Sequence, residues 1–202
     1  MTRTLAITLS ALAVVAMAVP AQAQATSSST AGAVISVQGG GFTSAVNLND
    51  AKTADFKTGF NAGGAIGYQL NDIVGLRGTF TFARTESEGA GLPTLLKAGT
   101  KANRFFYGGE VVLKAPLTGG ISPYVLVGGG AMTFKPDTTP SQDSFTKPAG
   151  KVGVGVNIDI PKSNVSVFAE GGGWFYQFDQ FGFDKTQFDL TWSAGLSYRF
   201  GR

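Results

Sequence analysis

The side chains of this sequence that could do chemistry are carboxylates and basic groups, because the chain of 202 residues contains no histidine and no cysteine. These two absences exclude imidazole bases, Ser-His triads, His-ligated metals, thiolates and disulfides. Four acids and four bases nevertheless stand within apolar or glycine-rich segments, where they could pair or line a path for ions. They are Arg77, Glu110, Lys114, Lys151, Asp159, Glu170, Asp189 and Arg199.

A period of two in hydrophobicity predicts the elements that carry these charges. In residues 187–200, for example, apolar residues from Phe188 to Phe200 alternate with Asp189, small polar residues and Arg199. Short turns and longer links alternate between such segments, which is typical of an up-and-down antiparallel meander. Eight strands are predicted, at residues 33–42, 58–70, 73–83, 102–115, 121–134, 147–160, 165–178 and 187–200.

The two faces of these strands can be arranged in two ways. A soluble periplasmic barrel would turn the apolar face inward and bind a small apolar ligand, whereas a membrane barrel turns that face toward lipid. The polar face is rich in Gly, Ser and Thr and poor in charge. Small residues suit the narrow lumen of an eight-stranded barrel, so this face favours the membrane arrangement. No apolar run of 18 residues follows the N-terminal segment, which excludes a helical membrane protein.

Aromatic residues near the predicted strand ends also favour a membrane. Two aromatic bands on one apolar surface are typical of the interfacial girdles of membrane barrels. The predicted girdle residues are Tyr68, Phe80, Phe82, Tyr124, Phe134, Trp192, Tyr198 and Phe200.

The N-terminus predicts export. Arg3 precedes an apolar run at residues 5–19, and residues 21–23 have the small-x-small form of a cleavage site. We therefore expect a cleaved signal peptide at residues 1–23, a short disordered leader at 24–32 and one barrel domain at 33–202. Removing Arg3 lowers the formal net charge from +3 to +2, too little to suggest nucleic-acid binding.

Taken together, these features resemble the small outer-membrane β-barrel family, the OmpA- and OmpX-like eight-stranded proteins of Gram-negative bacteria. The signal peptide, the alternation and the ending from Trp192 to Phe200 carry the resemblance. It implies a location in the bacterial outer membrane, contact with outer-membrane lipid, and recognition of the C-terminal strand by the barrel-assembly machinery. Gly201 and Arg202 follow Phe200, a departure from the terminal aromatic of the family. We expect no peptidoglycan-binding domain after residue 202.

The charged residues, with Arg104 as a further member near one mouth, are expected to line the lumen. An isolated ion in so narrow a space is costly, so pairing into a plug is the favoured interpretation, and a gated ion path is the alternative. For the predicted strand at residues 165–178, the sequence does not determine which side chains face the lumen. Phe168, Trp174 and Tyr176 share a face with Glu170, and a bulge at residues 171–173 would turn Trp174 toward lipid.

The residue inventory favours a non-enzymatic function. We expect a structural or surface protein whose extracellular loops are available for contact with a partner that the sequence does not specify. No cofactor, metal or catalytic residue is predicted. The alternatives are a narrow porin-like channel for ions or small solutes and the soluble periplasmic barrel.

Overall fold

Nine strands account for most of the chain in the computed structural model, which describes residues 31–45, 54–89, 99–137, 143–178 and 185–200. A short 3-10 turn lies at Thr118–Gly120. The strands are β1 (Gly32–Ser44), β2 (Ala54–Phe56), β3 (Gly59–Gln69), β4 (Val74–Gly89), β5 (Lys101–Lys114), β6 (Ile121–Pro136), β7 (Phe145–Asp159), β8 (Val165–Phe178) and β9 (Lys185–Arg199). The predicted signal peptide and nearly all of the predicted leader lie outside the described residues.

Eight of these strands close into an antiparallel barrel. β1 pairs with β3 on one side and with β9 on the other, and β4 pairs with both β3 and β5. The remaining neighbours are consecutive in sequence. Closure satisfies the edge groups of every barrel strand, as a barrel in lipid requires. The predicted eight-stranded up-and-down barrel is therefore confirmed.

The short strand β2, which is not one of the eight barrel strands, extends the wall at the end of the barrel that carries the long links. β2 pairs only with residues 87–89 of β4, beyond the predicted end of that strand at residue 83. Backbone hydrogen bonds also join Ser87 to Gly99 and Thr100 on the other side. These additional pairing partners explain why β4 continues further than its hydrophobic pattern predicts.

The short turns lie together at the opposite end of the barrel. In the β3–β4 turn, the Asn71 side-chain oxygen accepts hydrogen bonds from the backbone amides of Ile73 (2.9 Å) and Val74 (2.8 Å). This Asx turn needs few residues to reverse the chain. In the β5–β6 connection, Gly119 and Gly120 have φ of 82° and 77°, a region that glycine adopts without steric cost.

The apolar face of the strands lies on the outside of the barrel. Side chains such as Ile66 (70% exposed), Val37 (60%) and Val127 (55%) point away from the lumen. The alternative of a soluble barrel with an apolar interior is therefore wrong. Among the described residues, no helix is long and apolar enough to cross a membrane.

β8, whose inward-facing residues the sequence did not determine, contains no bulge. β8 keeps an unbroken register with β7 and with β9 through Gly171, Gly172 and Gly173. Without a bulge the side-chain alternation continues, and Trp174 points into the barrel with only 1% of its surface exposed.

Candidate functional site

Four charged side chains form a closed ring across the middle of the lumen. Arg77 on β4 donates to Glu110 on β5 and to Glu170 on β8, each at 2.6 Å. Lys151 on β7 donates to the other oxygens of the same carboxylates, at 2.7 Å to Glu110 and 3.0 Å to Glu170. Each cation thus bridges both anions. We call these four residues the charge ring.

The charge ring is electrically balanced and largely removed from water. Its two cations and two anions sum to zero, and the exposed fractions of Glu110, Lys151 and Glu170 are 4%, 2% and 7%. Burying ions at this depth is favourable only when every ion has close partners. Tyr124 adds a further donor, with its hydroxyl 3.0 Å from Glu170. The ring therefore links four strands through contacts that are costly to break.

A glycine makes the geometry of the ring accessible. Glu110, Gly128 and Lys151 are direct cross-strand neighbours on β5, β6 and β7. A side chain at Gly128 would collide with the Glu110 Cγ, 2.7 Å from the position of a Cβ. The glycine leaves the space in which Glu110 reaches Lys151 across the intervening strand.

A second polar cluster lies closer to the long links, around Asp189. This carboxylate accepts hydrogen bonds from Arg104 (2.8 Å), Tyr176 (2.6 Å) and Ser44 (2.7 Å). Arg104 and Asp189 are 1% and 0% exposed. The Arg104 guanidinium also lies over the Phe42 ring, 4.9 Å from its centroid. We call Arg104 and Asp189, with Tyr176 and Ser44, the upper cluster.

Aromatic side chains fill the space between the two polar layers. Trp174 stacks on Phe106 with ring centroids 4.9 Å apart, and the Lys151 ammonium lies 5.4 Å from the Trp174 centroid. Phe42, Met132 and Phe134 complete this buried group. Aromatic stacking and cation–π contacts stabilise such an arrangement, and the lumen is occupied by side chains at this level.

The predicted lumen charges separate into three groups. Arg77, Glu110, Lys151 and Glu170 form the charge ring, and Asp189 belongs to the upper cluster with Arg104. Lys114, Asp159 and Arg199 face inward near the short turns and join neither group. There Asp159 accepts hydrogen bonds from Asn157 (2.9 Å) and Ser166 (2.7 Å).

Six of the predicted girdle residues face outward, and two do not. Tyr68, Phe80, Trp192, Tyr198 and Phe200 are exposed on the outer surface, and Phe82 contacts the outward-facing rings of Phe60 and Phe105. The placement of Tyr124 and Phe134 in the girdle is wrong, since they are 6% and 0% exposed.

Tyr124 and Phe134, the two residues wrongly assigned to the girdle, lie on β6, where the two faces are similarly apolar. Tyr124 is held inside by its hydrogen bond to Glu170, and Phe134 by the Arg104 guanidinium, 5.6 Å from its ring centroid. Sequence reasoning missed Tyr124, Tyr176 and Ser44 as partners of buried carboxylates. The one signal for their inward orientation was an even spacing from inward residues on the same strand, such as the spacing of four between Tyr124 and Gly128.

This arrangement is suited to closing a lumen. Within the described ranges, no cluster of three or more potential metal-ligating residues occurs. The acids of the lumen are engaged by basic groups, hydroxyls or amides, so the site resembles a salt-bridged plug more than a reaction centre.

Comparisons with known proteins agree with this architecture. The model of a family described as the outer membrane protein beta-barrel domain matches residues 9–200. Neisserial surface protein A has a similar structure, with a TM-score of 0.59 and 16% identity over 84% of this chain and 99% of that one. No curated protein matches the sequence.

Two further solved structures are similar at lower TM-scores. The N-terminal barrel of OprF from Pseudomonas aeruginosa has a TM-score of 0.49 and 16% identity, covering 83% of this chain and 97% of its own. Ail, the attachment invasion locus protein of Yersinia pestis, has a TM-score of 0.47 and 20% identity, covering 84% and 97%. At these identities the similarity concerns the fold.

Proposed function

The chain belongs to the outer membrane protein β-barrel family, and from that premise we propose that it is a non-enzymatic structural or surface protein of the bacterial outer membrane. In this proposal the outer apolar surface anchors the barrel in lipid, the lumen stays shut, and the extracellular loops are available for contact. We further propose that residues 1–23 are removed on export and that the assembly machinery recognises β9.

The charge ring is the observation that carries the proposal. Four strands contribute side chains that meet at 2.6–3.0 Å across the lumen. The ring lies below an upper cluster and a stacked aromatic pair in the same lumen, and eight strands enclose room only for side chains. A rigid, filled barrel suits an anchor that presents loops.

The alternative function, a narrow channel, differs from this proposal in conductance. We expect the full barrel, reconstituted in planar lipid bilayers, to give no steady current above that of the lipid alone. An outer-membrane porin inserted in parallel serves as the positive control. A reproducible conductance whose ion selectivity changes in Glu110→Gln would establish the channel and overturn the sealed lumen.

Lipid contact by the outer face predicts a large penalty for a charge in its middle. Val154 lies near the centre of β7 and is 54% exposed on the outer surface. We expect Val154→Arg to cost about 2–4 kcal/mol of folding free energy in lipid vesicles, because the guanidinium would lie in hydrocarbon. Urea titration, followed by the shift in gel mobility between unboiled and boiled samples, measures this cost.

The matched control for that experiment is Val154→Leu, which keeps the apolar surface and should change the free energy by less than about 1 kcal/mol. If Val154→Arg were as stable as Val154→Leu in vesicles, this face would not be in contact with lipid.

A further inference from the structure

A cavity lies inside the barrel between the charge ring and the short turns. Its volume is about 70 Å³, and all eight barrel strands contribute to its wall. Because the ring lies above it, the cavity is reached from the end of the short turns. We place this end in the periplasm, opposite the long links that form the proposed extracellular loops. The cavity is therefore a closed-ended pocket within the lumen.

The wall of this cavity carries positive charge without a carboxylate. Arg77 and Lys114 both line it, whereas no Asp or Glu does. The Arg77 Nε and Nη2 atoms are used by the charge ring. The Lys114 backbone amide donates to the Ile73 carbonyl (2.7 Å), whereas its ammonium makes no hydrogen bond or ion pair with the residues that the structure describes. A half-buried ammonium without a close counter-ion is an unfavourable arrangement that a bound anion would relieve.

Two further cations lie near Lys114. Arg199 and Arg77 act on it by repulsion, and Asp159 is the one acid that attracts it. Asp159 already accepts hydrogen bonds from Asn157 and Ser166. Outside the neutral charge ring, Lys114 and Arg199 thus carry two positive charges near the cavity against the one negative charge of Asp159. Low-dielectric walls focus such a field and raise the local concentration of anions.

We propose that this cavity binds a small inorganic oxyanion of the phosphate class, with Lys114 as its principal charged ligand. The cavity has room for an ion of a few heavy atoms. Hydroxyls of Ser36 and Ser197 also lie in the wall and can donate to phosphate oxygens. The inference depends on the closed ring and is independent of what the loops contact.

The test is calorimetric titration of the full barrel in detergent micelles with inorganic phosphate. Sodium gluconate, an organic anion with a single carboxylate, holds the ionic strength constant. We expect Lys114→Gln to weaken phosphate binding at least tenfold, the loss typical of removing one hydrogen bond to a charged group. The matched control is Lys162→Gln, which removes an exposed lysine from the β7–β8 turn at the same end.

A second variant tests the cavity without changing charge. Ser197→Leu fills the pocket and should abolish phosphate binding, which keeps the proposal testable if Lys114→Gln does not fold. The proposal is overturned if the unmodified barrel does not bind phosphate, if a folded Lys114→Gln or Ser197→Leu barrel binds it unchanged, or if Lys162→Gln weakens binding as much as Lys114→Gln. None of these results depends on whether the loops have a partner.

Discussion

Replacing Glu170 by glutamine is expected to destabilise the barrel by about 3–5 kcal/mol, the cost of removing one partner from a buried ion pair. Glu170 accepts from Arg77, Lys151 and Tyr124 at 2.6, 3.0 and 3.0 Å. The substitution keeps the shape of the side chain but leaves two buried cations with one carboxylate. The excess charge, more than the lost hydrogen bonds, makes this the largest single effect that we expect from the ring.

A compensating substitution separates the charge effect from the packing effect. Lys151→Met in the Glu170→Gln background restores neutrality, with Arg77 opposite Glu110. We expect the double variant to be at least about 2 kcal/mol more stable than the sum of the two single effects predicts, because residues in one buried network are strongly coupled. Simple additivity of the two costs would contradict an ion ring.

Both variants are measured by urea titration of the barrel in lipid vesicles, with tryptophan fluorescence and gel mobility as readouts. Glu86→Gln is the matched control, since Glu86 pairs with Lys57 at 3.2 Å on the surface, where the two side chains are 39% and 47% exposed. Exposed pairs contribute about 0–1 kcal/mol. If Glu170→Gln cost no more than Glu86→Gln, the ring would not hold the lumen together.

The second large effect is expected at a glycine inside the wall. Gly108 on β5 faces Gly130 on β6 across the lumen side of the sheet. A methyl group at Gly108 would collide with the carbonyl oxygen of Gly129 and lie 2.8 Å from the Gly130 Cα. Backbone atoms cannot move aside as a flexible side chain can, so we expect Gly108→Ala to cost about 3 kcal/mol through overpacking.

The neighbouring residue provides the control. Gly109 points outward, and a Cβ there would meet nothing within 4 Å. We expect Gly109→Ala to be neutral or slightly stabilising, by up to about 1 kcal/mol, because it restricts the unfolded chain. Urea titration of both variants in vesicles compares one methyl group on the two faces of one strand. Equal stability of the two would mean that the wall is not as tightly packed at Gly108 as the structure indicates.

The sequence determined the architecture because strand alternation is a local property. On β4, β7 and β9, apolar and polar residues alternate so clearly that this alternation alone placed Arg77, Lys151 and Asp189 on the same face of the barrel wall. Short and long connections alternated visibly, which predicted the meander. Alternation is unchanged when a barrel is turned inside out, however. The choice of lipid for the apolar face therefore depended on the scarcity of charge on the other face and on the aromatic residues near the strand ends.

The tertiary structure alone decided which inward residues meet. The contacts of Glu170 reach back 46 residues to Tyr124 and 93 residues to Arg77, and no local pattern encodes such a distance. On β6 both faces are apolar, so the alternation of residue types did not indicate which way Tyr124 and Phe134 point. Their partners across the lumen, Glu170 and Arg104, hold them inside. The period of two sets the side of the wall on which a residue lies, whereas strand register and barrel closure set its neighbours.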